Sequence, residues 1–304
     1  MLRTLAILST VRQTVVEADL YEKQSGRRGR LLVLVTYPAK MVVIYLSTQA
    51  IARVMGPVRR VLGRPVTPTE ERISAAWLSL LANAGIKGSP VWGGVSLSAL
   101  DEFSTANMIG FGGKTRLAHA DALSEIELNA VLVHELAHLR LRHVIIVSFA
   151  IAALSAGWPV VVRRLIARKT PQIVESLNYE RMLAREIGLP YTSESTASVR
   201  RDYAATAVSV VTIALVVSAI QRACETQADD YAAAVVGTDP LTSAIKIIDN
   251  ANTARNSRPG IRAAFWRFDA AVARTIGIPF ASAPSSASRI KRLKSRSGTD
   301  HRSN

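Results

Sequence analysis

Residues 134–138 read His134-Glu135-Leu136-Ala137-His138. A helix turns about 100° per residue, so positions four apart lie about 40° apart around its axis. Both imidazoles of this H-E-x-x-H pattern can therefore reach one metal ion. Glu135 points to one side, placed to take a proton from water held on the metal rather than to bind the metal itself. Zinc suits the set, because it lowers the pKa of its water to about 7. The five residues alone can arise by chance, and a buried histidine is ordinarily a core residue, so the surrounding sequence has to decide.

That sequence predicts a helix. Ser124 and Glu127 form a capping box ahead of the run 126–143. Ile126, Ala130, Val133, Ala137 and Leu141 follow helical spacing and predict a buried stripe. No Pro or Gly interrupts the run. A third ligand is then needed. On an unbroken helix His143 falls on the opposite side from His134. The longer H-E-x-x-H-x-x-G-x-x-H pattern fails, with Leu141 and Val144 where it needs Gly and His. His119 lies upstream near a turn signal. Glu225 is the best candidate. It opens a run, 225–236, with Ala228, Ala232 and Val235 or Val236 in helical register. Asp229, one turn on, shares its face and could orient a zinc-bound histidine through the ring N–H. The competing reading is a solvated acidic helix face.

Composition points to a membrane. The chain has 304 residues, is 49% hydrophobic and carries a net charge of +15. Basic residues gather at Arg27, Arg28 and Arg30, at Arg163, Arg164, Arg168 and Lys169, and at Arg289, Lys291, Arg292, Lys294 and Arg296. No aromatic-interleaved basic face or nucleic-acid motif accompanies them, so no nucleic-acid partner is expected. Flanking a lipid bilayer explains them more simply. Two uncharged runs, 144–162 and 203–220, approach the roughly 20 apolar residues that a spanning helix needs. Buried core helices are the alternative. The stretch 33–54 is a weaker candidate span, because Lys40, Arg53 and Pro38 interrupt it. Residues 1–20 have one early Arg but only a short apolar stretch, broken by Thr and Arg, and no clear small-residue cleavage site, so no signal peptide is expected there. The single cysteine, Cys224, cannot form an intramolecular disulfide and reads as a helix-packing residue.

H-E-L-A-H, then two apolar runs, then E-x-x-A-D resembles the HtpX-like membrane zinc endopeptidases, a family that includes the CAAX prenyl endopeptidases. The resemblance covers about residues 65–295. The approach through Asn107-Met108-Ile109-Gly110-Phe111 and Ala120-Asp121-Ala122-Leu123 looks like the strand and turn before that family's motif helix. Arg222 matches a basic position before the family's acidic ligand, and Pro284 with Arg289-Ile290-Lys291-Arg292-Leu293 resembles its C-terminal H-P-x-x-x-x-R-I-x-x-L signature. By that resemblance His134, His138 and Glu225 hold one Zn2+ per chain, Glu135 is the general base, and Asp229 supports a ligand from behind. Asn107 and Arg289 become candidates for substrate or transition-state contact, Arg289 alternatively for docking on the catalytic domain. One departure stands out: Ala283 occupies the place of the family's His before Pro.

The expected fold is mainly α with a small β-sheet. It is a zincin-like metallopeptidase domain with a transmembrane helical hairpin inserted between the two zinc-ligand helices. Residues 1–64 form an N-terminal membrane-associated region. Residues 65–143 and 221–295 form the peptidase domain. Residues 144–220 form the hairpin, with a loop at 163–202, and 296–304 a disordered basic tail. Amphipathic helices are expected around Ile73, Ala76, Trp77, Leu80 and Leu81, around Leu241, Ala244, Ile245 and Ile248, and over 261–276. Strand-like runs at 90–98 and 107–117 could bind an extended substrate by edge pairing.

The expected activity is endopeptidase cleavage of membrane or misfolded proteins in a prokaryotic cell membrane. A metallopeptidase-type membrane sensor and a catalytically inactive scaffold are the alternatives. Sidedness has two readings. Arg163, Arg164, Arg168, Lys169, Arg200 and Arg201 on the 163–202 loop outnumber Arg140, Arg142 and Arg222 on the zinc side, which by the positive-inside rule puts the loop in the cytoplasm. The family resemblance and the basic C-terminus favour a cytoplasmic zinc site, which is the expectation adopted.

Overall fold

A computed structural model describes residues 2–41, 43, 68–86, 122–169, 182, 186, 196–256 and 284–300. Among these residues the regular elements are all helical, and no strand occurs. The two strand-like runs, and the helix expected over 261–276, lie outside the described residues, as do Asn107, His119 and Ala283. The principal elements are α1 (Leu2–Ser25), a 3-10 turn (Arg27–Leu32), α2 (Pro68–Asn83), α3 (Glu125–Arg140), α4 (His143–Lys169), α5 (Thr196–Val236), α6 (Thr238–Asn256) and α7 (Ser286–Asp300). The chain divides into two compact units.

The first unit comprises residues 1–6, 39–148 and 218–304. Its core is built around α3. On α2, Ile73, Trp77 and Leu81 recur every four residues, and they meet Leu128, Leu132 and Leu136, which recur the same way on α3. Spacing of that kind gives each helix one apolar ridge, and the two ridges close on each other. A second cluster joins Ala130 and Val133 of α3 to Ala232, Leu241, Ile245 and Leu293, from α5, α6 and α7. Thus α3 is buried on two faces, not along the single stripe expected. Ile126 and Leu141 of that stripe are exposed, whereas Leu128, Leu132 and Leu136 are buried.

The cap is formed as expected. Glu127 N–H donates to Ser124 Oγ, and Ser124 N–H donates to Glu127 Oε2 at 2.9 Å. Ser243 Oγ also donates to Glu127, at 2.5 Å, which ties α6 to the start of the motif helix. At the far end, α5 stops at Gly237, whose φ of +89° suits a residue without a Cβ. Helix α7 continues to Asp300, past residue 296, the expected start of a disordered tail.

The second unit comprises residues 7–38 and 149–217. The N-terminal region is a long helix, α1, whose Ile7, Val11, Thr14, Val15 and Ala18 are buried at i, i+3 and i+4 spacings. Arg30, which sequence groups with Arg27 and Arg28 as a flanking charge, turns inward and is buried. The reason lies in α4. Pro159 has no N–H, so the carbonyl four residues earlier, Ser155 O, loses its helical donor. Arg30 Nη2 donates to Ser155 O at 3.1 Å, and Nε donates to Ala156 O at 2.9 Å. The guanidinium is balanced by Asp19 and by Glu22, the latter at 2.7 Å. Arg163 closes the cluster through Asp19 Oδ2 at 2.7 Å. Gly29 permits the turn, since a Cβ there would lie 2.1 Å from Tyr21 O.

Among the described residues, two helices are long and apolar enough to cross a membrane, over Ile145–Ala167 and Asp202–Val236. Both helices are apolar on two sides: Ile145, Ile146, Phe149, Val161 and Leu165 on α4 and Val208, Val211 and Val216 on α5 are exposed, whereas Val147, Ile151 and Val162 on α4 and Ile213 and Val217 on α5 are buried. Their buried positions include the small polar residues Ser148, Ser155, Ser209 and Ser218.

Candidate metal centre and catalytic site

His134 and His138 sit one turn apart on α3, and Glu225 comes from α5. His134 Nε2 and His138 Nε2 are 3.2 Å apart. Glu225 Oε2 lies 3.4 Å from His134 Nε2, and Glu225 Oε1 lies 3.8 Å from His138 Nε2. Ligands on a tetrahedral zinc, bound at about 2.0–2.2 Å, are about 3.3–3.6 Å from one another. The three separations bracket that range. Both histidines are buried, and Glu225 is largely so.

The chemistry of the set fits a cation as well as its spacing does. Two ring nitrogens and a carboxylate aim at one small volume. With a lone pair on each nitrogen they would repel one another unless a proton or a metal ion lay between them. Burial by itself lowers the pKa of His134, but Asp229 and Glu225 outweigh it and push the value up to about 9. A cation bound there would compete with protons for the same ligand atoms.

Each ligand histidine is backed by a second group. His134 Nδ1 lies 3.0 Å from Asp229 Oδ1, off the line of a well-directed hydrogen bond. Asp229 is fully buried and held in a fork by Arg289, with Nε donating to Oδ2 at 2.8 Å and Nη2 to Oδ1 at 2.5 Å. Arg292 approaches Asp229 Oδ2 at 3.4 Å and pairs with Asp230 at 2.9 Å. The fork requires α7 to dock, and Leu293, one turn beyond Arg289, is buried in the α3–α5–α6 cluster. Glu135 is buried, at 6% exposure. Cys224, the neighbour of Glu225, is buried as a packing residue would be.

His143 departs from expectation. The motif helix does not run through it. It ends at Arg140, and Arg142 adopts a left-handed φ of +55° before α4 begins at His143. The break folds His143 back, so that its Nδ1 lies 2.8 Å from His138 Nδ1. Its Nε2 lies 3.0 Å from Gln227 Oε1. Burial holds the pKa of His143 below the ordinary imidazole value. Neither Gly nor Pro marks the break. The available signal was the change at Val144 from a helical stripe to an apolar run.

Residues 68–297 match peptidase family M48. The chain belongs to peptidase family M48. The match begins at the first residue of α2 and takes in both ligand helices and the Arg289 fork. No curated protein and no solved structure matches the chain. As an M48 peptidase with an H-E-x-x-H site completed by a distant glutamate, it is a zinc metalloendopeptidase, with His134, His138 and Glu225 as the zinc site.

Proposed function

We propose that this M48 peptidase is embedded in a membrane and cleaves peptide bonds in membrane or misfolded proteins, with Glu135 as its general base. The observation that carries the reading is the convergence of His134 Nε2, His138 Nε2 and a Glu225 carboxylate oxygen, with the buried Glu135 next in sequence to His134. Zinc bound there supplies a Lewis acid that polarises water and the substrate carbonyl. Glu135 accepts a proton as water adds to the scissile carbonyl carbon. It returns that proton to the amide nitrogen as the C–N bond breaks.

Asp229 orients His134, and Arg289 keeps Asp229 charged and in place. Both forked nitrogens of Arg289 are directed to Asp229, which supports a positioning role over direct contact with substrate. Asn107 remains a candidate for substrate contact through the segment before α3. The bilayer reading rests on the two long apolar helices and on the outward-facing Ile145, Phe149, Leu165, Val208 and Val211. The family resemblance and the basic C-terminus support a cytoplasmic zinc site.

The test is cleavage of casein by the detergent-purified chain and by Glu135→Gln. The variant should retain zinc and lose activity by about 10²–10⁴-fold, the usual contribution of a general base. Full activity in Glu135→Gln would contradict the mechanism.

A further inference from the structure

Zinc coordination by His138 requires a lone pair on Nε2, so the ring proton must sit on Nδ1. That nitrogen meets His143 Nδ1 at 2.8 Å. A proton between the two can belong to His138 only if His143 Nδ1 is bare. A neutral His143 then carries its own proton on Nε2, which meets Gln227 Oε1 at 3.0 Å. Gln227 offers either an acceptor oxygen or a donor NH2 to that position. With the NH2 presented, the chain of bonds would run the other way. His143 Nδ1–H would donate to His138 Nδ1, and the His138 proton would move to the nitrogen that faces the metal. One assignment satisfies both of these contacts and keeps the ring proton of His138 off Nε2.

We infer that Gln227 and His143 form a relay that sets the tautomer of His138, each acting as a positioning residue for the metal ligand rather than as a ligand. The inference rests on the zinc reading above. The geometry behind it is specific. Gln227 lies on α5 between Glu225 and Asp229, so one short stretch of helix carries the third ligand, the partner of His134 and the end of the relay to His138. The break at Arg142 brings His143 into line. His143 is fully buried, with both ring nitrogens engaged, whereas Gln227 is exposed, so its replacement should leave the core undisturbed.

The experiment measures zinc affinity of the full chain in detergent, by competition with a chromophoric chelator. Thermal unfolding of each zinc-free protein is followed alongside. Wild type binding about one zinc supports the metal site itself; wild type binding none sinks that reading and the relay with it. Given binding, Gln227→Leu should weaken zinc about 10-fold or more, the range seen when partners behind a ligand are removed. Gln227→Glu, which keeps an acceptor oxygen, should stay within a few-fold of wild type. His143→Phe should weaken zinc at least as much as Gln227→Leu, and His143→Gln, with an acceptor of its own, should recover much of the loss. Unchanged affinity in Gln227→Leu would overturn the relay while leaving the zinc site standing. So would equal losses in Gln227→Leu and Gln227→Glu, because the acceptor oxygen would then not be the cause.

Discussion

At the scale of single residues, the site is two imidazoles and a carboxylate whose partners decide how they point. Asp229 is a buried carboxylate balanced by Arg289 and by His134. Asp229→Asn should lower zinc affinity about 10–100-fold with little loss of helix content, measured by chelator competition and circular dichroism. Arg289→Met should do the same and also lower the melting temperature, because it leaves Asp229 buried without its strongest partner. His134, Glu135 and His138 were legible because their spacing repeats the helix turn. Glu225 and Asp229 were legible because an acidic pair one turn apart heads an apolar helical run. His143 was not. Its place depends on a left-handed Arg142, a conformation that arginine does not advertise in sequence.

At the scale of elements, the motif helix is held by a cap at one end and a forced stop at the other. Ser124→Ala should cost about 1 kcal/mol of stability, read from denaturant unfolding. The α4 proline poses a different problem, and α1 with its following turn solves it. Arg30 covers the carbonyls of Ser155 and Ala156 while Asp19 and Glu22 balance its charge. Arg30→Met should destabilise the chain by about 1–3 kcal/mol, the usual cost of leaving a buried acceptor such as the Ser155 carbonyl without its donor. Thermal unfolding checks this, and a change under about 1 kcal/mol would contradict the arrangement. Helices α2, α3 and α6 were visible as apolar periodicity. The inward turn of Arg30 was not, since a basic cluster near apolar runs reads as a membrane flank until the orphaned Ser155 carbonyl is seen.

At the scale of the whole molecule, the long apolar runs were legible from the absence of charge alone. Their helices extend further than those runs, through Lys169 on α4 and back to Thr196 on α5. Alternating charge-free windows reveal where lipid could lie, but helix ends depend on backbone hydrogen bonds that composition does not report. If the chain spans a bilayer with the zinc site in the cytoplasm, a C-terminal reporter active only in the cytoplasm should be active, and alkaline carbonate should not extract the protein. An inactive reporter would place the site on the other face.

Residues far apart in the chain meet to form one zinc site, and Glu225 is the residue that closes it. The direct measurement is metal content, by elemental analysis, of the purified wild type and of Glu225→Ala. About one zinc per chain in the wild type, with most of it lost in Glu225→Ala at an unchanged helix content, is the predicted result. Equal zinc in both proteins would show that His134 and His138 find their third ligand elsewhere.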